Sequence, residues 1–466
     1  MFAKILAWIK EIFSKMIGQQ SVKQALNIDV AISNEMMTAL ETWSLMYANQ
    51  AGWLNKDIKS LNLPAAIASE IARAVTIEMS VELTGSARAA FLQKQLTPVL
   101  SKLREKVEVG AAKGGLIFKP YISGKEIAVD YIHADMFYPV AFDSNGNITS
   151  CVFADQQTIG GKYYTRLEFH RMTPQGCEIT NRAFQSDSRD TLGKSVDLST
   201  VAIWAELLPE ATITGIDRPL FAYFKYPLAN TVDPTSPLGV SCYSRAVDLI
   251  HDADIQWSNL IWEFESGQRA LYVDALAFGK DSTGKAVLPN KRLYKTIDAG
   301  GQEDALFKEW TPTLREENIL KGLDAILKRV EFACGLAYGT LSDPNTIEKT
   351  ATEIAASKQR TQSTIVDTQK ALQEALDHLL YAIDIWATLG NLAPRGTYAV
   401  AYDFDDSLLV DSEMQFAQDT RTVGLGAMPL YMFLMRNYGL TEQLAKQWIT
   451  EKQAETPADM FADQGA

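Results

Sequence analysis

Cysteine is scarce in this chain: Cys151, Cys177, Cys242 and Cys334 are the only four in 466 residues, and no two lie near each other. That spacing excludes a CxxC zinc or redox motif and suits a reducing compartment. The four histidines are equally scattered, so no metal ligand set is expected. Uninterrupted apolar runs fall short of the ~18 residues of a membrane span. Cations are also in deficit, with Lys and Arg totalling 44 against 57 Asp and Glu, a formal net charge of −13. Simple non-specific affinity for nucleic acid needs clustered Lys and Arg. An acidic chain can still handle DNA that it lets pass rather than holds, but such acidity more often marks only a soluble intracellular protein.

Motifs for catalysis are incomplete. Leu192-Gly193-Lys194-Ser195 resembles the end of a phosphate-binding loop, but the position five before Gly193 is Ser188, not glycine. Gly239-Val240-Ser241-Cys242-Tyr243 lacks the second glycine of a nucleophile elbow. Asp403, Asp405 and Ser407 fit the start of a calcium loop, but Leu408 replaces the glycine of its sharp turn. His251 is followed by Asp252 and Asp254, yet adjacent helical residues do not face each other. No catalytic residue, cofactor or metal is expected, and the chain reads as a non-enzyme.

Proline and glycine are missing from Thr350 to Leu389, so nothing local stops a helix there. At 1.5 Å per residue it would be roughly 60 Å long. Its first half, to Lys370, is rich in Ala, Thr, Ser and Gln. Its second half carries Leu372, Leu376, Leu379, Ile383 and Trp386 at helical spacing, one buried stripe. A helix that is half core and half polar projects from a body or packs against copies of itself through small residues, with a long helix across a large monomer as the plainer alternative.

The rest of the chain reads as α+β, predominantly helical, with 47% hydrophobic and 22% charged residues and enough length for two or more lobes. Phe2, Ile5, Leu6, Ile9, Ile12, Phe13 and Met16 mark one face of an N-terminal helix. That face suits a partner subunit or the chain's own body, with a membrane surface as the alternative. Trp43, Leu45, Met46 and Trp53 are assigned to one helix, Ile67, Ile71, Val75 and Met79 to another, and a third starts at Ala87. From Leu116 to about Phe224 the period becomes two, clearest at Lys162–Phe169, with a hairpin turn at Ser144–Asn147. A helix is expected from about Val240 to Phe264, then a strand-and-turn insert from Gln268 to Pro312. A second helix covers about Leu314 to Cys334, and a strand covers Thr397–Phe404 ahead of a helical C-terminus.

Three stretches carry a family likeness. One is Pro237-Leu238-Gly239-Val240-Ser241 leading into Ala246-Val247-Asp248-Leu249-Ile250, with Asp254 and Glu263-Phe264-Glu265-Ser266-Gly267. Another is Lys349-Thr350-Ala351-Thr352-Glu353-Ile354, the most specific. The last is Tyr402-Asp403-Phe404-Asp405-Asp406-Ser407, followed by Gly424-Leu425-Gly426-Ala427-Met428. With this element order, the chain resembles the portal proteins of tailed double-stranded DNA bacteriophages, most closely those of long-tailed phages infecting Gram-positive bacteria.

The resemblance implies a wing over 1–237, stem helices at 238–267 and 312–335, and a clip between them at 268–311. It further implies a tunnel loop at 336–350, a long tunnel helix at 351–390, a strand returning to the wing at 391–407 and a helical crown at 408–466. It also implies a ring of about twelve copies in the virion, assembled in the host cytoplasm, through which double-stranded DNA passes. Its expected partners are the terminase large subunit, a head-completion or adaptor protein, scaffolding protein and major capsid protein, with no membrane. In a ring each side chain becomes a belt. DNA-channel candidates are Glu348, Lys349, Lys358, Arg360, Lys328 and Arg329, and loop candidates are Ser342, Asp343, Asn345 and Thr346. Clip docking candidates are Lys280, Asp281, Lys285, Lys291 and Arg292. Another virion structural or head–tail connector protein is the alternative reading, and a soluble enzyme with a dispersed site the more distant one.

Overall fold

The computed structural model describes residues 19–77, 79–274, 293–297, 307–344, 351–404 and 412–455. The N-terminal helix expected before Gln19 lies outside them. Three helices come first: α1 (Gln19–Leu26), α2 (Asn34–Tyr47) and α3 (Leu63–Thr76). Ser33 caps α2 by accepting from the Met36 N–H at 3.3 Å. Two assignments change here. Trp53 lies beyond α2, because its indole N–H donates to Asp254 at 3.0 Å. Met79 leaves the helix for strand β1 (Met79–Gly85), where Val81 and Leu83 alternate inward.

Helix α4 (Ala87–Lys113) runs through Pro98 and ends at Gly114, whose φ of +85° is left-handed. A Cβ there would strike the Gly239 backbone, so the two glycines let the chain cross closely. The sheet layer comprises β2 (Gly115–Ser123), β3 (Glu126–His133), β4 (Phe137–Phe142), β5 (Ile148–Ile159), β6 (Lys162–Thr173), β7 (Gly176–Ser186), β8 (Lys194–Val196), β9 (Glu210–Thr214) and β10 (Ala222–Lys225). Strands β4 to β8 form an antiparallel sheet in sequence order, with β9 also on β7, and β10-β2-β3 form a second sheet. The expected 144–147 turn is held by Asp143, which accepts from the N–H groups of Asn145 and Asn147 at 2.8 and 2.9 Å.

Alternation along the larger sheet gives it two different faces. On one, Val152, Leu167, Phe169 and Phe184 enclose Val22 of α1. On the other, Ala183 meets Leu198, Val201 and Trp204. That second face also carries a buried ionic group joining the two sheets. Glu168 accepts from Lys119 at 2.7 Å and Arg166 at 2.9 Å, and its other oxygen lies 2.6 Å from His170 Nε2.

Helix α5 (Val247–Ser266) starts later than the expected Val240. Val240, Ser241 and Cys242 are instead buried in the chain and turn ahead of the helix, with the Cys242 N–H donating to Ala111 at 2.9 Å. Tertiary packing overrides local propensity there. The insert contributes β11 (Ala270–Asp274), β12 (Tyr294–Ile297) and β13 (Phe307–Trp310), with β11 central, parallel to β12 and antiparallel to β13. Its expected turns, with Lys280, Asp281, Lys285, Lys291 and Arg292, lie outside the described residues. Helix α6 (Glu316–Ala333) returns beside α5, and Glu263 clamps the pair by accepting from Arg315 Nη2 at 2.7 Å and its backbone N–H at 3.0 Å.

Helix α7 (Ala351–Leu389) is 39 residues long, as the missing breakers predict. Leu372, Leu376, Leu379 and Ile383 are buried. Buried Arg88 of α4 fixes the far end. Its Nε contacts Asp384 at 2.6 Å, its Nη1 donates to Ala393 at 2.9 Å, and its Nη2 reaches the Asp384 carbonyl and Thr388 hydroxyl. A cation there also suits the negative end of the helix dipole. Strand β14 (Tyr398–Phe404) pairs with β1.

By contacts the chain divides into two units, residues 1–77 with 81–402, and residues 78–80 with 403–466. The second unit contains α8 (Ser412–Gly424), α9 (Leu430–Tyr438) and α10 (Glu442–Glu455), with Asp419 joining α8 to α9 and Lys446 of α10 lying over the Tyr431 ring of α9. The buried Asp419 carboxylate accepts from Asn437 at 2.9 Å and Arg436 at 3.3 Å.

Two outcomes follow. Arg88→Met should destabilise the first unit by on the order of 3 kcal/mol, the scale for breaking a buried pair, read by urea unfolding. Acid should act in stages. Burial pushes His378 below its usual value of 6.5, so its contribution is present above that pH and lost as pH falls through its folded value. Burial opposes ionisation of Glu168, but Lys119, His170 and Arg166 override it and hold the carboxyl well below its usual 4.5. Its contribution is therefore full above about 4.5 and lost at lower pH. Urea midpoints between pH 8 and 3 should decline first below about 6.5, and His378→Gln should shrink that first decline, the remainder coming from His133, which burial also pushes below its usual value.

Candidate functional site at the α6–α7 junction

The turn between α6 and α7 is built on one side chain. Glu331, in the last turn of α6, is fully buried and has no cation beside it among the described residues. The helix dipole disfavours an anion at that end. The chain compensates by folding back, so that backbone N–H groups of Gly339 (3.1 Å), Leu341 (2.6 Å) and Ser342 (2.8 Å) all donate to Glu331 Oε1. The buried Ser342 hydroxyl lies 2.9 Å from Oε2. Donors converging on an oxyanion make such a nest stable where an unpaired charge would not be. Ser342, a loop candidate, therefore has a structural contact.

A second carboxylate fastens the adjoining residue. Asp324 accepts from the Asp343 N–H at 3.0 Å and pairs with Lys328 Nζ at 2.6 Å. Lys328, a channel candidate, is thus committed to a local pair. Arg360 of α7 is half-buried, its guanidinium 4.4 Å from the Phe332 ring centroid and 5.5 Å from that of Tyr338. Flat stacking on aromatic faces suits guanidinium. Gly335, at φ +73°, brings its carbonyl within 3.2 Å of the Thr364 hydroxyl, and an added Cβ would overlap that hydroxyl.

These contacts modify the expectation for the polar half of α7. From Arg360 onward one side lies on the chain's own body: Ile365, Thr368 and Gln369 are buried. The other side, with Gln359, Ser363, Asp367 and Lys370, is exposed, as is Lys358. Arg329 of α6 is exposed too. The Arg360–Phe332 contact brings the stretches bearing Lys358 and Arg329 to the same junction. Glu348, Lys349, Asn345 and Thr346 lie outside the described residues.

Glu331 was not among the candidates, although a Glu closing an otherwise apolar helix face before a glycine turn was a visible signal. The role of Asp254 was likewise not legible from its neighbours in sequence. Asp254 is buried and accepts from Trp53 and the Leu61 N–H (2.8 Å), while His251 stacks on Trp53. This cluster docks a loop onto α5 and has no catalytic geometry. All four cysteines are buried free thiols, with burial pushing Cys177 and Cys334 up to about 12. Among the described residues no His, Cys, Asp and Glu group could hold a metal, and no helix is long and apolar enough to cross a membrane.

A family model described as "Phage portal protein, SPP1 Gp6-like" matches residues 100–458, most of the chain and all of this junction. The chain belongs to the phage portal family. Portal proteins are structural and not enzymatic, and the chain is accordingly a viral portal protein and a virion component. Among solved structures, it is similar to a chain of the "Neck of native GTA particle computed with C12 symmetry". The identity is 12%, coverage is 85% of this chain and 93% of that one, and the TM-score is 0.40. No curated protein sequence shows a match to this chain.

Glu331→Gln should leave the helices intact but speed amide exchange at Gly339, Leu341 and Ser342, since an amide supplies one acceptor where the carboxylate supplies two. The expected destabilisation is roughly 2–3 kcal/mol, with Ser342→Ala milder because one donor is lost. Unchanged exchange at these amides would remove Glu331 as the organiser of the turn.

Proposed function

We propose that this portal chain is one wedge of a closed homo-oligomeric ring, of about twelve copies, and of the type found in long-tailed phages of Gram-positive bacteria. Double-stranded DNA passes along its axis during packaging and ejection. In this reading residues 1–237 with 391–407 are the wing, α5 and α6 are the stem, the 268–311 insert is the clip, 336–350 is the tunnel loop, α7 is the tunnel helix and 408–466 is the crown. The clip docks the terminase large subunit and later a head-completion protein, and the wing meets scaffolding and coat protein. The family match over residues 100–458 carries the reading.

The chemistry of the junction supports a conduit role. Phosphate contacts through many Lys and Arg would hold duplex tightly and salt-dependently. Here Lys328 is paired and Arg360 is stacked, which leaves Lys358 and Arg329 as exposed cations without an ion pair among the described residues. Repeated around a ring, they form sparse positive belts in a chain of net charge −13. Such belts centre the duplex without arresting it. Glu348 and Lys349 belong to the same proposed belt by sequence.

The double variant Arg329→Glu with Lys358→Glu tests this. Ring mass should be unchanged, while packaged DNA per particle in a defined packaging assay falls several-fold. Unaltered packaging with intact rings would remove these residues from the channel wall and leave the portal assignment standing.

A further inference from the structure

The segment 197–210 projects from the larger sheet on the face opposite α1. Trp204 anchors it: the ring is buried against Ala183, Leu198 and Val201, and its indole N–H donates to Asp155 Oδ2 at 3.0 Å. Around this anchor the segment turns its apolar groups outward. Ile203 is 65% exposed and Leu208 64%, with Leu207 also exposed. The segment contains Asp197, Glu206 and Glu210 and not one Lys or Arg. All three carboxylates are exposed and form no ion pair among the described residues. The result is an apolar patch with an acidic rim, fixed by a buried tryptophan.

The chain itself contains a segment of complementary chemistry. Residues 1–17 place Phe2, Ile5, Leu6, Ile9, Ile12, Phe13 and Met16 at helical spacing, and carry Lys4, Lys10 and Lys15 against the single Glu11. We propose that this N-terminal segment of one copy docks on the Ile203–Leu208 patch of a neighbouring copy, its lysines facing Asp197, Glu206 and Glu210. A neighbour is specified because Val22, just beyond the segment, is buried on the opposite face of the same sheet from Trp204. An arm leaving Gln19 starts with the sheet between itself and its own patch. In a head-to-tail arrangement every patch receives one arm, and the ring has none left over. The inference rests on the ring reading and adds a strap to it.

Engineered cysteines give the direct test, since the four native thiols are buried. Ile9→Cys combined with Ile203→Cys, oxidised in assembled protein, should yield a ladder of linked chains on a non-reducing gel, collapsed by reductant and absent from either single variant. Rings of unchanged native mass without the ladder would overturn the strap and spare the ring. A fast-migrating internally linked monomer would overturn the exchange between copies. A native mass of one chain would overturn both. A second measurement avoids the cysteines: deletion of residues 1–17 and the pair Glu206→Lys with Glu210→Lys should each lower the salt concentration at which rings dissociate. Combined, they should lower it no further than the deletion alone, and additive effects would contradict the contact.

Discussion

A buried carboxylate with no cation beside it is the constraint on which the junction depends. Glu331 sits where the helix dipole is hostile to negative charge, and leaving it unpaired would cost several kcal/mol. The sequence that follows supplies the remedy: a glycine turn and a serine, whose N–H and O–H groups converge on the two oxygens. Satisfying that charge forces the chain to reverse sharply at the end of α6. The reversal brings Gly335 onto Thr364 and Phe332 under Arg360. The long helix is thereby fastened to the end of α6 by two unlike contacts, a backbone approach at Thr364 and a guanidinium over an aromatic ring at Arg360, while the anion nest holds the turn between them.

The other end of that helix is fixed by different means. Arg88 gathers the carbonyl and carboxylate of Asp384 and the Ala393 carbonyl, while Leu372 to Ile383 fill the core. Between the two mounts, a polar stripe from Gln359 to Lys370 remains exposed on one side. In the proposed ring, a helix fastened at Arg360, Thr364 and Asp384, with a sparsely charged free side, would suit a surface past which a polyanion slides. Mobility there would let Lys and Arg wrap the duplex, and binding would compete with passage.

Much of this architecture was legible in the residues. The absence of Gly and Pro from Thr350 to Leu389, with its apolar stripe, marked the long helix to within a residue of its observed start. Period-two patterning marked the sheet, and Asn145-Gly146 one of its hairpins. What stayed hidden depends on partners distant in the chain. Trp53 and Asp254 are about two hundred positions apart and each looks ordinary alone. Met79, the first residue of strand β1, was read as helix because the strand's partner, β14, comes some three hundred residues later. Val240 to Cys242 reads as helix until Ala111 takes its backbone donor. Of the candidate channel residues, Lys328 and Arg360 were chosen for their charge, and only the fold revealed what already holds them.

Electron cryomicroscopy of the purified full-length assembly tests the account most directly. The account predicts a closed ring with an open axial hole wide enough for duplex, the Gln359–Lys370 side of α7 turned toward that hole and the Glu331 turn behind it. A particle without an axial opening, or a ring whose opening is lined elsewhere with this stripe turned outward, would contradict it.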